Sequence, residues 1–342
     1  MNEWILFAIA AVVGFAVAFG LGYVVIPYLH KLHFGQTILD IGPSWHKNKQ
    51  GTPTMGGVLF IFGTAAALIV SLLTDFFSKG DIIAGNSASP DTVKAKFWSG
   101  IAMALCFGMI GFLDDYIKVK RKENKGLSIK QKTALEIIVM CAYLASLRMA
   151  GATYIYFPFF GNVELKFFFW IFGAVCIYCT VNAVNFTDGI DGLCGSVTET
   201  FAVSALIIAL LRGYFGTSLL CAAMFGSIAG YLIWNWHPAK VFMGDVGSLF
   251  LGGIVVAVSY SIDMPWIIIL SGIIYVIEFL SDVIQIVYFK ATHGKRLFKM
   301  APIHHHFEKC GWSEKKIVYI FTAINALGGL AAVLLTYFGQ PK

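Results

Sequence analysis

Apolar and polar positions fall in long alternating blocks along this chain, not in the short 3–4-residue rhythm of a soluble helix. Ten apolar runs stand out, at residues 4–29, 54–74, 97–113, 133–149, 167–184, 197–211, 218–236, 249–262, 266–288 and 317–338. Most approach the roughly 20 residues that carry a helix across a bilayer, so the pattern predicts about ten transmembrane helices. The run at 249–262 is short for a crossing, and its backbone is expected to lie partly in a protein-lined cavity. The remainder is polar loop punctuated by glycine and proline.

Composition agrees with this pattern. Of 342 residues, 58% are hydrophobic and 13% charged, and the mean hydropathy is +0.76. That is too little charge to cover a soluble domain. The expected fold class is therefore an all-α polytopic membrane protein, with residues 1–342 forming a single integral membrane domain. The first run is too long for the apolar region of a cleavable signal peptide and lacks a basic segment before it. Seven cysteines are present, and Cys106, Cys141, Cys176, Cys179, Cys194 and Cys221 lie in or beside apolar runs, which reads as reduced packing residues. Cys176 and Cys179 form a C-x-x-C with no second pair to suggest a metal or redox site.

Charge chooses the orientation. The loops after runs 1, 3, 5, 7 and 9 hold 18 of the 25 Lys and Arg residues. By the positive-inside rule those loops are cytoplasmic and both termini extracytoplasmic. The polar motifs then fall on the cytoplasmic face.

In "FGMIGFLDDYIKVKRK", Asp114 and Asp115 end an apolar helix, where carboxylates oppose the macrodipole and repel each other. Either Lys118, Lys120 and Arg121 offset them, or a divalent cation or bound substrate does; the motif does not separate the two. In "VNAVNFTDGIDGLCGS", two Asp-Gly pairs are ordinary turn chemistry. Yet Asn182, Asn185, Thr187, Asp188 and Asp191 also bring several oxygen donors to one membrane edge, as Mg²⁺ prefers. In "NWHPAKVFMGDVGSLFLGG", Asn235 and His237 precede Pro238, and Gly244-Asp245-Val246-Gly247-Ser248 opens the next helix. That loop is either a plainly capped helix or a phosphate cradle with Asp245 beside it for a cation. "HKNKQGTPTMGG" supplies Lys47, Lys49, Thr52 and Thr54 as donors to an anion or as caps. Within the ninth run Glu278, Asp282 and Gln285 recur at i, i+4, i+7 on one helical face, and intramembrane acids usually face a cavity or partner.

"APIHHHFEK" places His304, His305 and His306 in a row. Neighbours on a helix are about 100° apart, so the three cannot share one metal, and the spacing matches no zinc motif. Pro302 and Gly311 suggest a loop with at most a short helical piece. Alone, the segment reads as a solvated patch facing headgroups; beside Lys295, Arg296 and Lys299 it has donors for phosphate oxygens.

Taken in order, "GTPTMGG", "LDDYIK", "VNFTDGIDGL", "NWHPAKVFMGDVGS" and "APIHHHFE" resemble the phospho-N-acetylmuramoyl-pentapeptide transferase (translocase I) family, from about residue 46 to 316. This family belongs to the polyprenyl-phosphate phosphosugar transferases. The uninterrupted histidines set the chain apart from members of that superfamily that use N-acetylglucosamine, which show H-x-H-H. The resemblance implies a bacterial cytoplasmic membrane enzyme that needs Mg²⁺ as cofactor. It transfers phospho-N-acetylmuramoyl-pentapeptide from its UDP form to undecaprenyl phosphate, giving lipid I and UMP in peptidoglycan synthesis. It further implies Asp245 as the Mg²⁺ ligand and Asp114 and Asp115 as essential acids, Asp114 being a candidate base. Asn182, Asn185, Asp188 and Asp191 would line the nucleotide and diphosphate site. Lys49, Thr54, Asn235, Phe242, Gln285, His304, His305 and His306 would contact nucleotide or sugar, Phe242 by stacking on uracil. The implied partners are the two substrates, the lipid bilayer and a second copy in a homodimer, with no nucleic acid. The outward loop at 75–93 matches no family feature.

Two chemical routes are open, direct attack by the lipid phosphate or passage through an aspartyl-phosphate. A secondary phosphate ionisation of about 6 leaves the lipid phosphate largely dianionic at neutral pH, which favours direct attack. Two rival functions are a sister transferase using UDP-N-acetylglucosamine and a cation-coupled transporter running through Glu278, Asp282 and the loop acids. Acids gathered at one face, and the lack of an inverted repeat, count against the transporter.

Overall fold

The computed structural model describes residues 3–31, 49, 51–85, 87–121 and 125–339. Among these, the chain forms helices α1 (Glu3–Lys31), α2 (Gly57–Phe77), α3 (Pro90–Arg121) and α4 (Ile129–Met149), then a hairpin β1 (Tyr154–Phe157) and β2 (Gly161–Glu164). There follow α5 (Phe168–Thr187), α6 (Leu193–Leu211), α7 (Phe215–Asn235), α8 (Gly244–Ser261), α9 (Ile267–Ser271), α10 (Ile273–Ala291), α11 (Ile303–Lys309) and α12 (Glu314–Phe338). All ten apolar runs are helical. Eight of these helices are long and apolar enough to cross a membrane; α4 and α10, in which every stretch of 18 residues holds three charged side chains, are not among them. The rows of exposed Ile, Leu, Val and Phe on α1, α2, α5 and α12 are surfaces for lipid.

Three features differ from the sequence reading. The eighth run is not interrupted backbone: α8 starts at Gly244 and is a continuous 18-residue helix, every residue from Val246 to Ser261 being buried. It is wrapped by α2, α3, α5, α6, α7 and α9, so its all-round apolarity reflects a central position. The ninth run is broken at Gly272 into α9 and α10. There Asn325 of α12 donates to Ser271 O at 2.7 Å and accepts from Ile274 N at 3.2 Å, satisfying backbone groups that the break would orphan away from water. The third feature is the hairpin, paired antiparallel with Tyr154 opposite Glu164 and Phe157 opposite Gly161. Its strands come from an aromatic and β-branched stretch turned at Pro158 to Gly161, a signal overshadowed by the long apolar runs on either side.

Lipid tails are as apolar as leucine, so helix contact in a membrane relies on close packing and small residues. At the α1–α7 contact a Cβ on Gly226 would stand 1.9 Å from the Ala11 carbonyl oxygen, whereas one on Gly20 would meet nothing within 4 Å. Gly226→Ala should therefore lower detergent-phase stability by about 1–3 kcal/mol, the usual scale of overpacking, and Gly20→Ala should leave it unchanged. Thermal unfolding of both variants checks this.

Candidate active site

Five connections, those after α1, α3, α5 and α7 and the α10–α12 segment, come together at one end of the bundle, as side-chain contacts among them show. The frame is backbone pairing between the segment before α2 and the segment before α8. Phe242 N donates to Pro53 O at 2.8 Å, Gly56 N to Phe242 O at 2.8 Å, and Gly57 N to Met243 O at 2.9 Å. Buried Asn235 braces this frame against the Asp-Gly loop, accepting from Gly192 N at 3.0 Å and donating to Val241 O at 2.9 Å. Gly244 opens α8 with φ +71°, and a Cβ there would stand 2.4 Å from Asp115 Oδ2 and 2.6 Å from Thr54 Oγ1. Only glycine combines that conformation with so close an approach.

Around this frame lie three clusters. In the first, oxygens of Asp114, Asp115 and Asp245 lie within 4.8 Å of one another. Asp114 accepts from Leu127 N at 2.7 Å and pairs with Lys118 at 2.6 Å. Asp115 accepts from Val246 N at 3.1 Å, the first turn of α8. Asp245 is bound by Lys132 at 2.9 Å, Lys118 at 3.3 Å and Asn185 at 3.4 Å. Its side chain is 21% exposed against 5% for Asp114 and 3% for Asp115. Asp245 thus presents its oxygens to an incoming group, with the other two behind it. Three carboxylates that converge on one point suit a hard divalent cation, while Asn185 turns its amide N–H toward Asp245. At the edge of this cluster, Asp188 is half-buried just past α5. Loss of hydration, then the charges of Asp245, Asp115 and Asp191, push its carboxyl well above the usual carboxylate range.

The second cluster centres on Asp191. Its carboxylate accepts from Lys49 at 2.8 Å, from Ala239 N at 3.0 Å and lies 3.0 Å from His237 Nδ1. Glu314, in the first turn of α12, takes the same Lys49 at 2.6 Å and the Asp191 N–H at 3.2 Å. Asp191, His237 and Glu314 also have metal-ligand spacing; this cluster has two carboxylates against three in the first, and Lys49 stands between them as Lys118 stands among Asp114, Asp115 and Asp245.

The third cluster divides the histidines. His304 is fully buried, so it is not part of a solvated patch; its Nδ1 is 3.0 Å from Glu278 Oε2. Its Nε2 has no hydrogen-bond partner among the described residues and lies over Gly189, where a Cβ would come within 2.1 Å of it. His305 pairs with Glu308 at 2.6 Å, and His306 accepts from Lys299 N at 3.1 Å. The Glu278–Asp282–Gln285 face of α10 serves this segment: Gln285 accepts from Leu297 N at 3.2 Å and Phe298 N at 2.9 Å. Burial would lower the His304 pKa, but Glu278, followed by Glu308 and Asp282, holds it above its ordinary value.

Of the residues expected at the site, the structure brings together Lys49, Thr54, Asp114, Asp115, Asn185, Asp188, Asp191, Asn235, Phe242, Asp245 and His304. Asn182 instead donates to Tyr178 O at 2.9 Å within its own helix and reaches Glu136. Gln285, His305 and His306 shape the α10–α12 segment. Lys47 lies outside the described residues. Sequence reasoning passed over Lys132 and Glu314. Lys132 reads as one more topology lysine, and Glu314 as an acid favoured in a first helical turn behind the Ser313 N-cap.

The raised His304 value has a consequence for stability. A group with a raised folded pKa contributes stability that is fully present below its unfolded value of about 6.5 and is lost as pH rises through the folded value. Wild-type melting temperature should accordingly fall from pH 6.5 upward. Glu278→Gln should flatten that slope in the same pH series.

Comparison with known proteins agrees with the geometry. Residues 97–263 match the model of glycosyl transferase family 4, and residues 49–61 match phospho-N-acetylmuramoyl-pentapeptide-transferase signature 1. The chain is 43% identical to the phospho-N-acetylmuramoyl-pentapeptide-transferase of Listeria monocytogenes serotype 4b (strain F2365), over 92% of this chain and 93% of that one. It is 42% identical to that of Listeria innocua serovar 6a over the same shares. Against that of Clostridium perfringens (strain 13 / Type A) it is 43% identical over 93% of this chain and 95% of the other. Identity at this level across nearly the whole length of both proteins, on an all-helical membrane scaffold, makes this chain a member of the phospho-N-acetylmuramoyl-pentapeptide-transferase family.

Proposed function

We propose that the chain transfers phospho-N-acetylmuramoyl-pentapeptide from its UDP-activated form to undecaprenyl phosphate, yielding lipid I and UMP. The site faces the cytoplasm of a bacterial cell membrane. The observation that carries this reading is the convergence of Asp114, Asp115 and Asp245 at the mouth of a buried helix, backed by Lys118 and Lys132. Two polyanions must meet for this reaction, and a basic, carboxylate-lined site is where a divalent cation and lysines can offset their repulsion. The orientation rests on the basic loops gathered at the same end.

Asp245, with Asp115 beside it, would hold Mg²⁺, Asp114 adding negative charge behind them. When bound, the ion neutralises and orients phosphate oxygens. The chain's own residues do the rest. Lys118 and Lys132 place positive charge where the diphosphate lies. Asn235 and the Phe242–Pro53 pairing fix the backbone at Phe242, whose ring would offer a surface for the uracil. A lipid phosphate oxygen forms the new bond to the sugar-linked phosphorus, the bond to the UMP oxygen breaks, and UMP leaves with that electron pair. Both Asp114 oxygens are already engaged, by Leu127 N and Lys118, which supports an electrostatic role for it and direct attack by the lipid phosphate.

The test is UMP release from UDP-N-acetylmuramoyl-pentapeptide by the purified chain with undecaprenyl phosphate, with and without Mg²⁺. Release that requires both is expected, and Asp245→Asn should cut it by at least about 10²-fold with melting temperature retained. No release from the folded protein overturns the reading. Equal use of UDP-N-acetylglucosamine points to the sister transferase instead.

A further inference from the structure

Among the described residues, the most buried ion pair made by a lysine or arginine has no part in this chemistry. Lys96, near the start of α3, and Asp263, just past α8, are 1% and 3% exposed. Lys96 Nζ donates to both Asp263 oxygens at 2.8 Å. Tyr214, the N-cap of α7, donates to Asp263 Oδ2 at 2.6 Å, and its ring lies 4.9 Å below the Lys96 ammonium. The Tyr154 hydroxyl also bonds that carboxylate, and the Asp263 carbonyl accepts from Tyr156 N at 2.7 Å. Two charges in so dry a place are costly unless fully paired, and ionisable groups in membrane spans commonly mark function.

The position of the pair shows what it does. Helices α3 and α8 run antiparallel and pack along their whole length. Asp114 and Asp115 lie at one end of α3 and Lys96 at the other; Asp245 opens α8 and Asp263 follows its last turn. From Asp245 to Asp263 the helix rise is about 27 Å. Between the two ends glycines of each helix meet the partner helix closely, with Phe107 and Phe250 packed beside them. A Cβ on Gly100 would lie 2.8 Å from Ala257 Cβ, one on Gly253 2.7 Å from Ala104 Cα, and one on Gly111 2.0 Å from Asp245 O. Such packing fixes how closely the two backbones approach along the middle of the contact and leaves its ends to be held by other groups. At the site end, three carboxylates repel one another. A clamp is needed at the far end.

We propose that the Lys96–Asp263 pair, with Tyr214, is a positioning device that sets α3 against α8 and so holds Asp114 and Asp115 in reach of Asp245. The proposal rests on reading that cluster as a divalent-cation site. Its signature is a loss of cation affinity larger than the loss of turnover at saturating cation.

The experiment titrates Mn²⁺, a paramagnetic stand-in for Mg²⁺, into the full chain in detergent and follows free Mn²⁺ by electron paramagnetic resonance. Lys96→Met strands a buried carboxylate and destabilises as well. The double variant Lys96→Met/Asp263→Asn removes both charges and is expected to melt near wild type. It should still bind Mn²⁺ about tenfold more weakly, within the range of couplings carried through packed helices, while UMP release at saturating Mg²⁺ stays within about threefold. Wild-type stability together with wild-type Mn²⁺ affinity in the double variant would make the pair structural only and overturn the proposal. Should that variant not fold, Tyr214→Phe removes one bond to Asp263 without stranding a charge; weaker Mn²⁺ binding supports the proposal and unchanged binding overturns it. Absence of Mn²⁺ from the unmodified chain would instead refute the cation site itself, and the positioning role with it.

Discussion

Mutual repulsion among carboxylates at the end of a buried helix is the constraint on which the rest of the structure depends. Asp114, Asp115, Asp188 and Asp245 are gathered where water is scarce, and Asp191 lies close by. Charges so placed stay together only if the surrounding structure compels them and if cations offset them. The compulsion comes from α8, enclosed on every side, and from α3, which lies against it closely enough that Gly111 touches the Asp245 backbone. The offset comes from Lys118 and Lys132, each reaching in from an adjoining helix end, and from the cation proposed above.

The same end of the bundle is held together by hydrogen bonds within the protein itself. Asn235 and Gln285 spend their amide groups on backbone, one tying the Asp-Gly loop to the pre-α8 segment and the other folding the α10–α12 connection back on itself. Glu278 draws His304 inward to the Asp-Gly loop, while His305 and His306 bond locally. Three consecutive histidines thus have three different surroundings. A run of like residues in sequence says little about shared function when each neighbour turns about 100° on a helix.

Much of this was legible in the sequence, because membrane helices announce themselves by composition and their polar ends stand out against it. The ten apolar runs, the location of the acids at helix ends and the family motifs are all visible without coordinates. What was not legible was pairing across distance. Lys96 sits one residue before an apolar run and reads as a boundary charge until Asp263, 167 residues on, is seen beneath it. Glu314 and Lys132 look like helix-end charges; only the fold shows that one closes the Asp191 cluster and the other binds Asp245. The break at Gly272 gave no local signal, since a lone glycine is common in membrane helices; its cause is Asn325, on another helix. The continuous course of α8 was obscured because Gly244 to Ser248 reads as loop, while in the folded protein those residues are its first turn.

The central claim is that a divalent cation sits among the three carboxylates of Asp114, Asp115 and Asp245 rather than in the Asp191–His237–Glu314 cluster, which has two. Anomalous scattering from crystals grown with Mn²⁺ decides this most directly. The account predicts one strong peak within about 2.0–2.3 Å of an Asp245 carboxylate oxygen, the distance of hard-cation coordination. A peak at Asp191, His237 and Glu314 with none at Asp245 would contradict it.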